Sequence, residues 1–455
     1  MSRAVVHTRH PSSRRSFLRT VSALPLVAGT TTLLPERLLG AAEAPSNPAT
    51  IEDSEGFLGR TAAPVSARIR LSSSQLEAAR QGRLLLREPE LRGKEPSPSI
   101  AAQLVGNATP GDLAQLCWSM PPGQAGARTF SPTVEGPARD RTTAPDAAGL
   151  TATGPLAGTG QYEIRDSAHP ILRYNYATVE PSADYLKAVT EGNRIYARAR
   201  SDYLHPLFGL DGETLTHDWS ADHPHHRGIY WAWPETDWRG QRGDLHALQK
   251  VFARPTGSCV TRSGPVYAEI EAENEWRWEG RDPIVRERAI LRAYRVAPPG
   301  NARIVDLEFR FTALNDPVLI ARRGTEHYGG LNIRLAAVRD QRLDLPSDAE
   351  AAPLRRSWAG LSGTFPGAPG PSGLLILQSP TNPNFPGDWI KYPDLNWLQP
   401  TFPAKGTRYE LKPGATLTLR YRLWLHRGAP PEAANGNDLA RAFQHPATPI
   451  ALTTS

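Results

Sequence analysis

Histidine is concentrated in one short stretch of this chain. Of its twelve histidines, six lie between positions 205 and 246, and the densest part reads Asp222-His-Pro-His-His-Arg-Gly228. In an extended backbone, side chains two positions apart share a face. We therefore expect His223 and His225 to point at one site and His226 to point away from it.

Three kinds of chemistry or structure fit this motif. Two imidazoles presented together can bind a divalent transition metal, with a carboxylate from elsewhere completing the ligand set. They can equally act as general acid and base without a metal. In the third interpretation the segment is a structural loop in which Asp222 and Arg227 fix a turn. In a functional site, Arg227 is expected to hold an anion or a hydroxyl of the substrate. The cofactor therefore stays undecided, with a divalent transition metal as one option.

A second segment combines two titratable groups with an accessible backbone. Residues 325–334 read Thr-Glu-His-Tyr-Gly-Gly-Leu-Asn-Ile-Arg, so Glu326 and His327 precede a Gly-Gly step. Arg334 is expected to return to the face of Asn332 and to clamp a carboxylate or hydroxyls. We predict Glu326 as the carboxylate that joins His223 and His225, either in acid–base chemistry or as a metal ligand. The alternative for this segment is a solvated strand end.

A third segment, residues 379–389, is too rich in proline to be an inner strand. It carries amides and aromatic rings, and Tyr392 follows it. Such side chains bind sugars through hydrogen bonds and ring stacking, so Asn382, Trp389 and Tyr392 are predicted sugar contacts. The alternative is a proline-stiffened connection with its aromatic rings packed beneath it. The motifs of serine esterases, P-loop enzymes and zincin proteases do not occur in the sequence, nor does a Cys-x-x-Cys pair.

The elements that must position these residues are strands. Apolar and polar residues alternate over 266–278, 305–313 and 415–426, which puts one face of each segment on a core. Helical periodicity is confined to Ser74–Gln81 and Asn437–Phe443. With 38 glycines and 43 prolines in the chain, the pattern predicts an all-β protein. We expect a large antiparallel β-sandwich preceded by a small β domain.

The chain divides into segments of different composition. Residues 1–42 carry Ser13-Arg-Arg-Ser-Phe-Leu-Arg19, which matches a twin-arginine signal peptide, and most of the chain's excess of basic residues lies there. The remaining segments are a flexible spacer at 43–56, a small β domain at 57–132, a Gly/Pro/Ala-rich linker at 133–160, the large sandwich at 161–428, and a tail at 429–455 with a short helix. The leader predicts export by the twin-arginine machinery to the periplasm or the extracellular space.

Charge and hydropathy narrow the classes of binding partner, and the two cysteines bear on a disulfide. Outside residues 1–41 the acidic and basic residues nearly balance, so we expect no nucleic-acid partner. No run of 18 apolar residues occurs, so we expect no membrane span in the mature chain. A single disulfide between Cys117 and Cys259 is permitted but not required.

The three motif segments, in this order, resemble the bacterial "methane oxygenase PmoA" family. Its members carry DHPHHRG, a Glu-Gly-Gly-Leu-x-x-Arg-like segment and an Asn-Pro-x-x-Pro-x-x-Trp segment. The resemblance covers roughly 160–428, and here His327 and Tyr328 interrupt the Glu-Gly-Gly segment. The resemblance implies an exported protein often grouped with sugar-catabolic genes. The long strand pattern also looks like the galactose-mutarotase supersandwich, whose members use His and Glu as acid and base on a sugar ring.

We therefore expect an exported carbohydrate-active enzyme, a hydrolase, lyase or epimerase, acting by His/Glu acid–base chemistry. Its predicted catalytic residues are His223, His225, Glu326 and His327, and its predicted substrate-binding residues are Arg227, Arg334, Asn382, Trp389 and Tyr392. As a metal site, the predicted ligands are His223, His225 and Glu326. Two alternatives stay open: a non-catalytic carbohydrate-binding protein, and a metal-dependent oxygenase that would need iron or copper.

Overall fold

The protein is built almost entirely of antiparallel strands. A computed structural model describes residues 48–89, 99–134, 149–296, 300–346, 355–430, 432–444 and 449–450. Four short α-helices accompany the strands in these ranges, so the predicted all-β class is confirmed. The predicted signal peptide and half of the predicted linker, residues 135–148, lie outside the described residues. Within the described ranges, no helix is long and apolar enough to cross a membrane.

The elements are numbered in chain order. The strands are β1 (Ala49–Asp53), β2 (Pro64–Arg70), β3 (Leu84–Arg87), β4 (Ile100–Ala101), β5 (Gln103–Leu104), β6 (Leu113–Ser119), β7 (Gly126–Val134), β8 (Leu150–Thr153), β9 (Tyr162–Asp166), β10 (His169–Asn175), β11 (Tyr203–Leu207), β12 (Ile229–Ala232), β13 (Glu235–Trp238), β14 (Gln241–Gly243), β15 (Val251–Arg262), β16 (Tyr267–Trp278), β17 (Asp282–Tyr294), β18 (Ala302–Ala313), β19 (Val318–Ala321), β20 (Gly330–Ile333), β21 (Arg339–Asp344), β22 (Trp358–Thr364), β23 (Ser372–Gln378), β24 (Trp389–Tyr392), β25 (Trp397–Pro400), β26 (Arg408–Leu411), β27 (Thr416–Arg427) and β28 (Pro449–Ile450). The helices are α1 (Phe57–Arg60), α2 (Ser73–Arg80), α3 (Ala183–Ala188) and α4 (Ala433–Gln444), with 3₁₀ turns at Glu191–Tyr196, Arg323–Thr325 and Pro393–Leu395.

The N-terminal part forms two small sheets, with strand orders β28-β1-β7-β3-β4 and β2-β6-β5. The helix predicted at Ser74–Gln81 is confirmed as α2. It begins with a capping box, because Gln75 N donates to Ser72 Oγ at 3.2 Å and Ser72 N donates to Gln75 Oε1 at 3.0 Å. These sheets contact the rest of the molecule through Gln103, whose Oε1 accepts hydrogen bonds from Val266 N and Tyr267 N.

The main body is a sandwich of two large antiparallel sheets, with strand orders β15-β16-β17-β18-β27-β23-β22-β21 and β20-β12-β11-β10-β9-β8. The three long alternating segments predicted from the sequence are confirmed as β16, β18 and β27. Their apolar residues are in register: Ile270 pairs with Leu291, Leu291 with Leu307, and Leu307 with Tyr421. All four are buried in one continuous core cluster that spans both sheets.

The six-stranded sheet has two different faces. On β12, Trp231 points into the sandwich and packs edge-to-face on Phe309 and Phe311, with ring centroids 5.0 and 5.1 Å apart. Its neighbour Tyr230 therefore lies on the opposite face, and Tyr230 pairs with Asn332 of β20 in the ladder. Both residues are buried although they face away from the core, and the loops over this outer face carry the motif residues.

The C-terminal helix predicted at Asn437–Phe443 is confirmed as α4, and Trp358 Nε1 donates to Asn437 Oδ1 at 2.9 Å. The last described strand, β28, returns to pair with β1. Cys117 and Cys259 are both free thiols, so the disulfide that the sequence permitted does not form.

Candidate metal centre

The Asp222–Gly228 segment is a turn and not an extended strand. His226 N donates to His223 O at 2.9 Å, with Pro224 and His225 at the centre of the turn. Because the chain reverses here, the two-residue alternation of a strand does not apply. His225 and His226 converge, with ring centroids 4.7 Å apart. The prediction that His226 points away is therefore wrong.

A third histidine joins them from a second turn, Asp244–Gln249, which follows β14. Ala247 N donates to Asp244 Oδ1 at 2.7 Å and closes this turn. The His246 ring lies 4.5 Å from that of His225 and 5.4 Å from that of His226. Each of the three rings offers one nitrogen within 4.8 Å of the other two. We call His225, His226 and His246 the histidine group.

The histidine group is neutral at physiological pH. Burial lowers the pKa of His225 to about 3, helped by the nearby Arg200 charge, and burial holds the pKa of His226 and His246 well below the ordinary value. Neutral imidazole is the form that ligates a metal. The Nδ1 atoms of His225 and His226 are buried and have no hydrogen-bond partner among the described residues. Unpaired, neutral and convergent nitrogens are suited to a metal ion.

Tyr230 orients the third imidazole. Its hydroxyl lies 3.0 Å from His246 Nδ1, and burial raises the pKa of the phenol so that it stays protonated. With Nδ1 engaged in this way, Nε2 is the ring nitrogen left for a ligand, as in many metal sites where a second partner fixes the histidine. Arg200 stacks on the Tyr230 ring at 4.3 Å and donates to the Leu245 and His246 carbonyls, which ties the turn to the sheet.

Two of the three predicted metal ligands lie outside the histidine group. His223 stacks on His226 with ring centroids 4.7 Å apart, but it is half exposed and its Nδ1 lies 2.9 Å from Asp222 Oδ2. Glu326 is exposed and forms an ion pair with Lys405 at 3.2 Å. In the part of the chain that the structure describes, no carboxylate joins the three histidines. The three residues whose nitrogens converge as a metal site requires are therefore His225, His226 and His246, and not the predicted His223, His225 and Glu326.

The second motif segment borders the histidine group through a residue that the sequence did not single out. His327, a predicted catalytic residue, is exposed, and its carbonyl accepts a hydrogen bond from Arg322 Nε at 2.6 Å. The next residue, Tyr328, has its ring 5.3 Å from that of His246. Arg323 donates to Tyr328 Oη and to Asp244 Oδ2, at 3.2 and 3.0 Å, and so links this segment to the His246 turn.

In the third motif segment, most of the residues predicted to contact a sugar are buried and pack inside the protein. Asn382 is buried, and it exchanges two hydrogen bonds with the backbone of Arg420, at 2.8 and 2.7 Å. Trp389 is buried as well, and its Nε1 donates to the Arg356 carbonyl at 2.9 Å. The amide of Asn382 and the indole N–H of Trp389, two predicted sugar contacts, are thus bonded to the protein's own backbone. Only the half-buried Tyr392 approaches the site, with its ring 5.1 Å from that of Trp397.

Trp397 follows the third motif segment in the sequence and was not among the predicted site residues, yet it lies beside the histidine group. Its ring meets His226 edge-on at 4.6 Å and lies 5.6 Å from the Tyr328 ring. We call Tyr328, Tyr392 and Trp397 the aromatic wall. β25 brings Trp397 to the site by running beside β20, where Trp397 pairs with Arg334.

The two predicted arginines differ in what they can bind. Arg227 is buried, forms an ion pair with Asp218 and lies 3.4 Å over the Trp219 ring, so it braces the loop. Arg334 donates through Nη2 to Ser220 Oγ at 3.2 Å and lies 3.6 Å from Asp222. Its Nε and Nη1 are buried without a partner among the described residues.

Comparison with known proteins adds a family without an assigned activity. No curated protein matches the sequence. Residues 161–441 match a family of unknown function (DUF6807), and these residues are more than half of the chain. The resemblance to the methane oxygenase PmoA family and the galactose-mutarotase-like fold both stay predictions. The chain belongs to the family of unknown function DUF6807.

Proposed function

We propose that this chain is a metal-dependent enzyme acting on a sugar or a related polyhydroxylated molecule at the histidine group. The observation that carries the proposal is the convergence of His225, His226 and His246 within 4.8 Å, without a fourth histidine, cysteine or carboxylate from the described residues. Three neutral protein ligands with one open position are typical of catalytic zinc sites, where water or substrate completes the coordination.

The surroundings supply two further requirements of such an enzyme. A bound divalent ion lowers the pKa of a coordinated water or hydroxyl. The proton needs an acceptor, and His223, half exposed beside His226 and paired with Asp222, is well placed for that role. The aromatic wall next to His226 and His246 offers ring faces on which the apolar face of a sugar stacks.

The carboxyl group of Asp244, near the histidine group, has a positioning role. Burial raises the pKa of Asp244 to about 6, although Arg323 partly offsets this. Its two oxygens accept hydrogen bonds from Ala247 N and Arg323, so Asp244 holds the His246 turn in place.

We also propose that residues 1–42 direct twin-arginine export, which would place this chemistry in the periplasm or outside the cell.

The proposal is tested by titrating the chelator-treated full-length protein with Zn²⁺ and Co²⁺ in a calorimeter. We expect one ion per chain, and we expect His225→Ala, His226→Ala and His246→Ala each to abolish stoichiometric binding. His223→Ala and Glu326→Gln are matched controls, since they change the nearest histidine and the predicted carboxylate, and both should keep the ion. Unchanged binding in all three histidine-group variants, or no binding by the unmodified protein, would contradict the proposal.

A second candidate function is acid–base chemistry on a sugar without a metal. The observation that favours it is the Asp222–His223 pair, in which a carboxylate orients a half-exposed imidazole at 2.9 Å. Turnover of a sugar that survives metal removal and is lost in His223→Ala would select this candidate. Glycan binding without turnover would indicate a non-catalytic protein, and iron or copper with O₂ consumption would indicate an oxygenase.

A further inference from the structure

We infer that the molecule bound at this site carries a carboxylate, which Arg334 holds together with the amides of Asn332 and Gln399. The inference rests on the site of the proposed function and names the class of its substrate: a sugar acid or another hydroxy acid. It does not depend on which reaction follows.

These three side chains lie in two neighbouring rows across the outer face of the sheet. The first row contains Tyr230, Asn332 and Gln399, and the second contains Arg334 and Trp397. Tyr230 pairs with Asn332, and the bridges Gly330–Thr401 and Arg334–Trp397 continue the ladder onto β25. The same register places Asn332 opposite Gln399. Residues directly opposite in an antiparallel ladder share a face, with their Cβ atoms about 5 Å apart.

Both rows run beside the histidine group. Tyr230, in the first row, bonds to His246, and Trp397, in the second row, meets the His226 ring at 4.6 Å. Arg334 N also donates to Gly228 O at 2.9 Å, at the end of the histidine turn. A ligand at the histidine group is therefore adjacent to both rows.

The rows hold a surplus of unpaired hydrogen-bond donors. Asn332 and Gln399 have no exposed surface. The polar atoms Arg334 Nε and Nη1, Asn332 Nδ2, Gln399 Nε2 and Trp397 Nε1 have no partner among the described residues. Asn332 Oδ1 is the accompanying unpaired acceptor. Buried donors without partners are costly and rare in native proteins. Five such donors in one place predict a ligand rich in acceptor oxygens.

The charges around the histidine group favour an anionic ligand. Arg323 is bonded to Asp244, and Arg334 has only Asp222, at 3.6 Å. Within the described ranges, no carboxylate forms an ion pair with Arg200, which lies over Tyr230. In the described part of the chain, Arg200 and Arg334 thus lack a close carboxylate partner, which favours an anionic ligand over a neutral one.

Asp222 marks where the ligand's carboxylate would bind. Its side chain is half exposed, and Oδ2 is shared between His223 at 2.9 Å and Arg334 at 3.6 Å. A ligand carboxylate that approaches Arg334 more closely than 3.6 Å would compete with Asp222 for the guanidinium group. Arginine with a carboxylate is a strong, charge-assisted hydrogen-bonded pair.

The test uses full-length protein loaded with Zn²⁺ and titrated with D-glucuronate, D-galacturonate, the methyl ester of each, D-glucose and inorganic phosphate. We expect the two acids to bind at least about 10-fold more tightly than the esters, and Arg334→Gln to remove about 10- to 100-fold of their affinity. The exposed Arg281→Gln is the matched control. In Asn332→Asp, the new carboxylate should repel the acids and therefore weaken their binding more than that of the esters. This second variant keeps the test decisive if Arg334→Gln fails to fold.

Two measurements separate this inference from the proposed function. Zinc content is determined for every variant, and Arg334→Gln should keep its ion. Stoichiometric zinc with equal affinity for acids and esters, or tighter binding of phosphate than of the acids, would overturn the carboxylate inference and leave the metal centre standing. Arg334-dependent binding of the acids by protein that binds no metal would support the inference and refute the metal centre.

Discussion

Replacing Tyr230 by phenylalanine removes the hydroxyl that orients His246 and keeps the ring that packs around it. The hydroxyl lies 3.0 Å from His246 Nδ1. The Tyr230 ring stacks parallel to the imidazole at a centroid distance of 5.8 Å and carries Arg200 on its face. A neutral hydrogen bond contributes a net of about 0.5–1.5 kcal/mol, and loss of an outer partner of a metal-binding histidine typically costs about 10- to 100-fold in affinity. We predict that Tyr230→Phe weakens zinc binding about 10-fold.

The assay is a competition titration against a chromophoric chelator, with the free energy of unfolding of the metal-free protein measured in parallel. Tyr203→Phe is the matched control, because Tyr203 is a buried tyrosine on the adjacent strand, and its hydroxyl contacts Asp218 at 3.2 Å and Arg227 instead of a histidine. We expect both variants to lose about 1 kcal/mol of stability and only Tyr230→Phe to lose zinc affinity. Wild-type affinity in Tyr230→Phe, or an equal loss in both variants, would refute the reasoning.

Two further predictions concern the fold and the third motif. Burial raises the pKa of both Glu287 and Asp202 in the core. Their protonation therefore stabilises the folded state fully below about pH 4, and this contribution is lost as the pH rises through the pKa values of the folded protein. Glu287→Gln should therefore raise the free energy of unfolding at pH 7 and flatten its pH dependence in denaturant titrations between pH 5 and 9; a variant that is less stable at pH 7 would contradict this. Asn382→Ala removes both hydrogen bonds to the Arg420 backbone and should cost about 1–3 kcal/mol of stability without changing the affinity for a bound sugar acid, whereas a loss of affinity at unchanged stability would restore Asn382 as a ligand contact.

The sheets could be predicted from the sequence because their signal is local. Ile270 and Leu307 belong to runs in which every second residue is apolar, and this period is itself the geometry of a half-buried strand. The same rule correctly placed Asn332 and Arg334 on one face. It failed at His226, because Pro224 and His225 form a turn in which neighbouring side chains converge.

The composition of the site could not be predicted because it depends on long-range pairing. His246 was among the six clustered histidines, but only the fold of the Asp244–Gln249 turn brings it to His225. Trp397 reaches His226 because β25 runs beside β20. Glu326 has a conspicuous sequence context, yet the 3₁₀ turn that precedes it directs its side chain to Lys405 at the surface.

The histidine group is tested most directly by X-ray absorption at the zinc edge on full-length protein loaded with one equivalent of Zn²⁺. We predict three imidazole nitrogens at about 2.0–2.1 Å and one oxygen ligand, with the imidazole contribution reduced in His246→Ala. A spectrum with one imidazole or none, or one that His246→Ala leaves unchanged, would contradict a metal centre built from His225, His226 and His246.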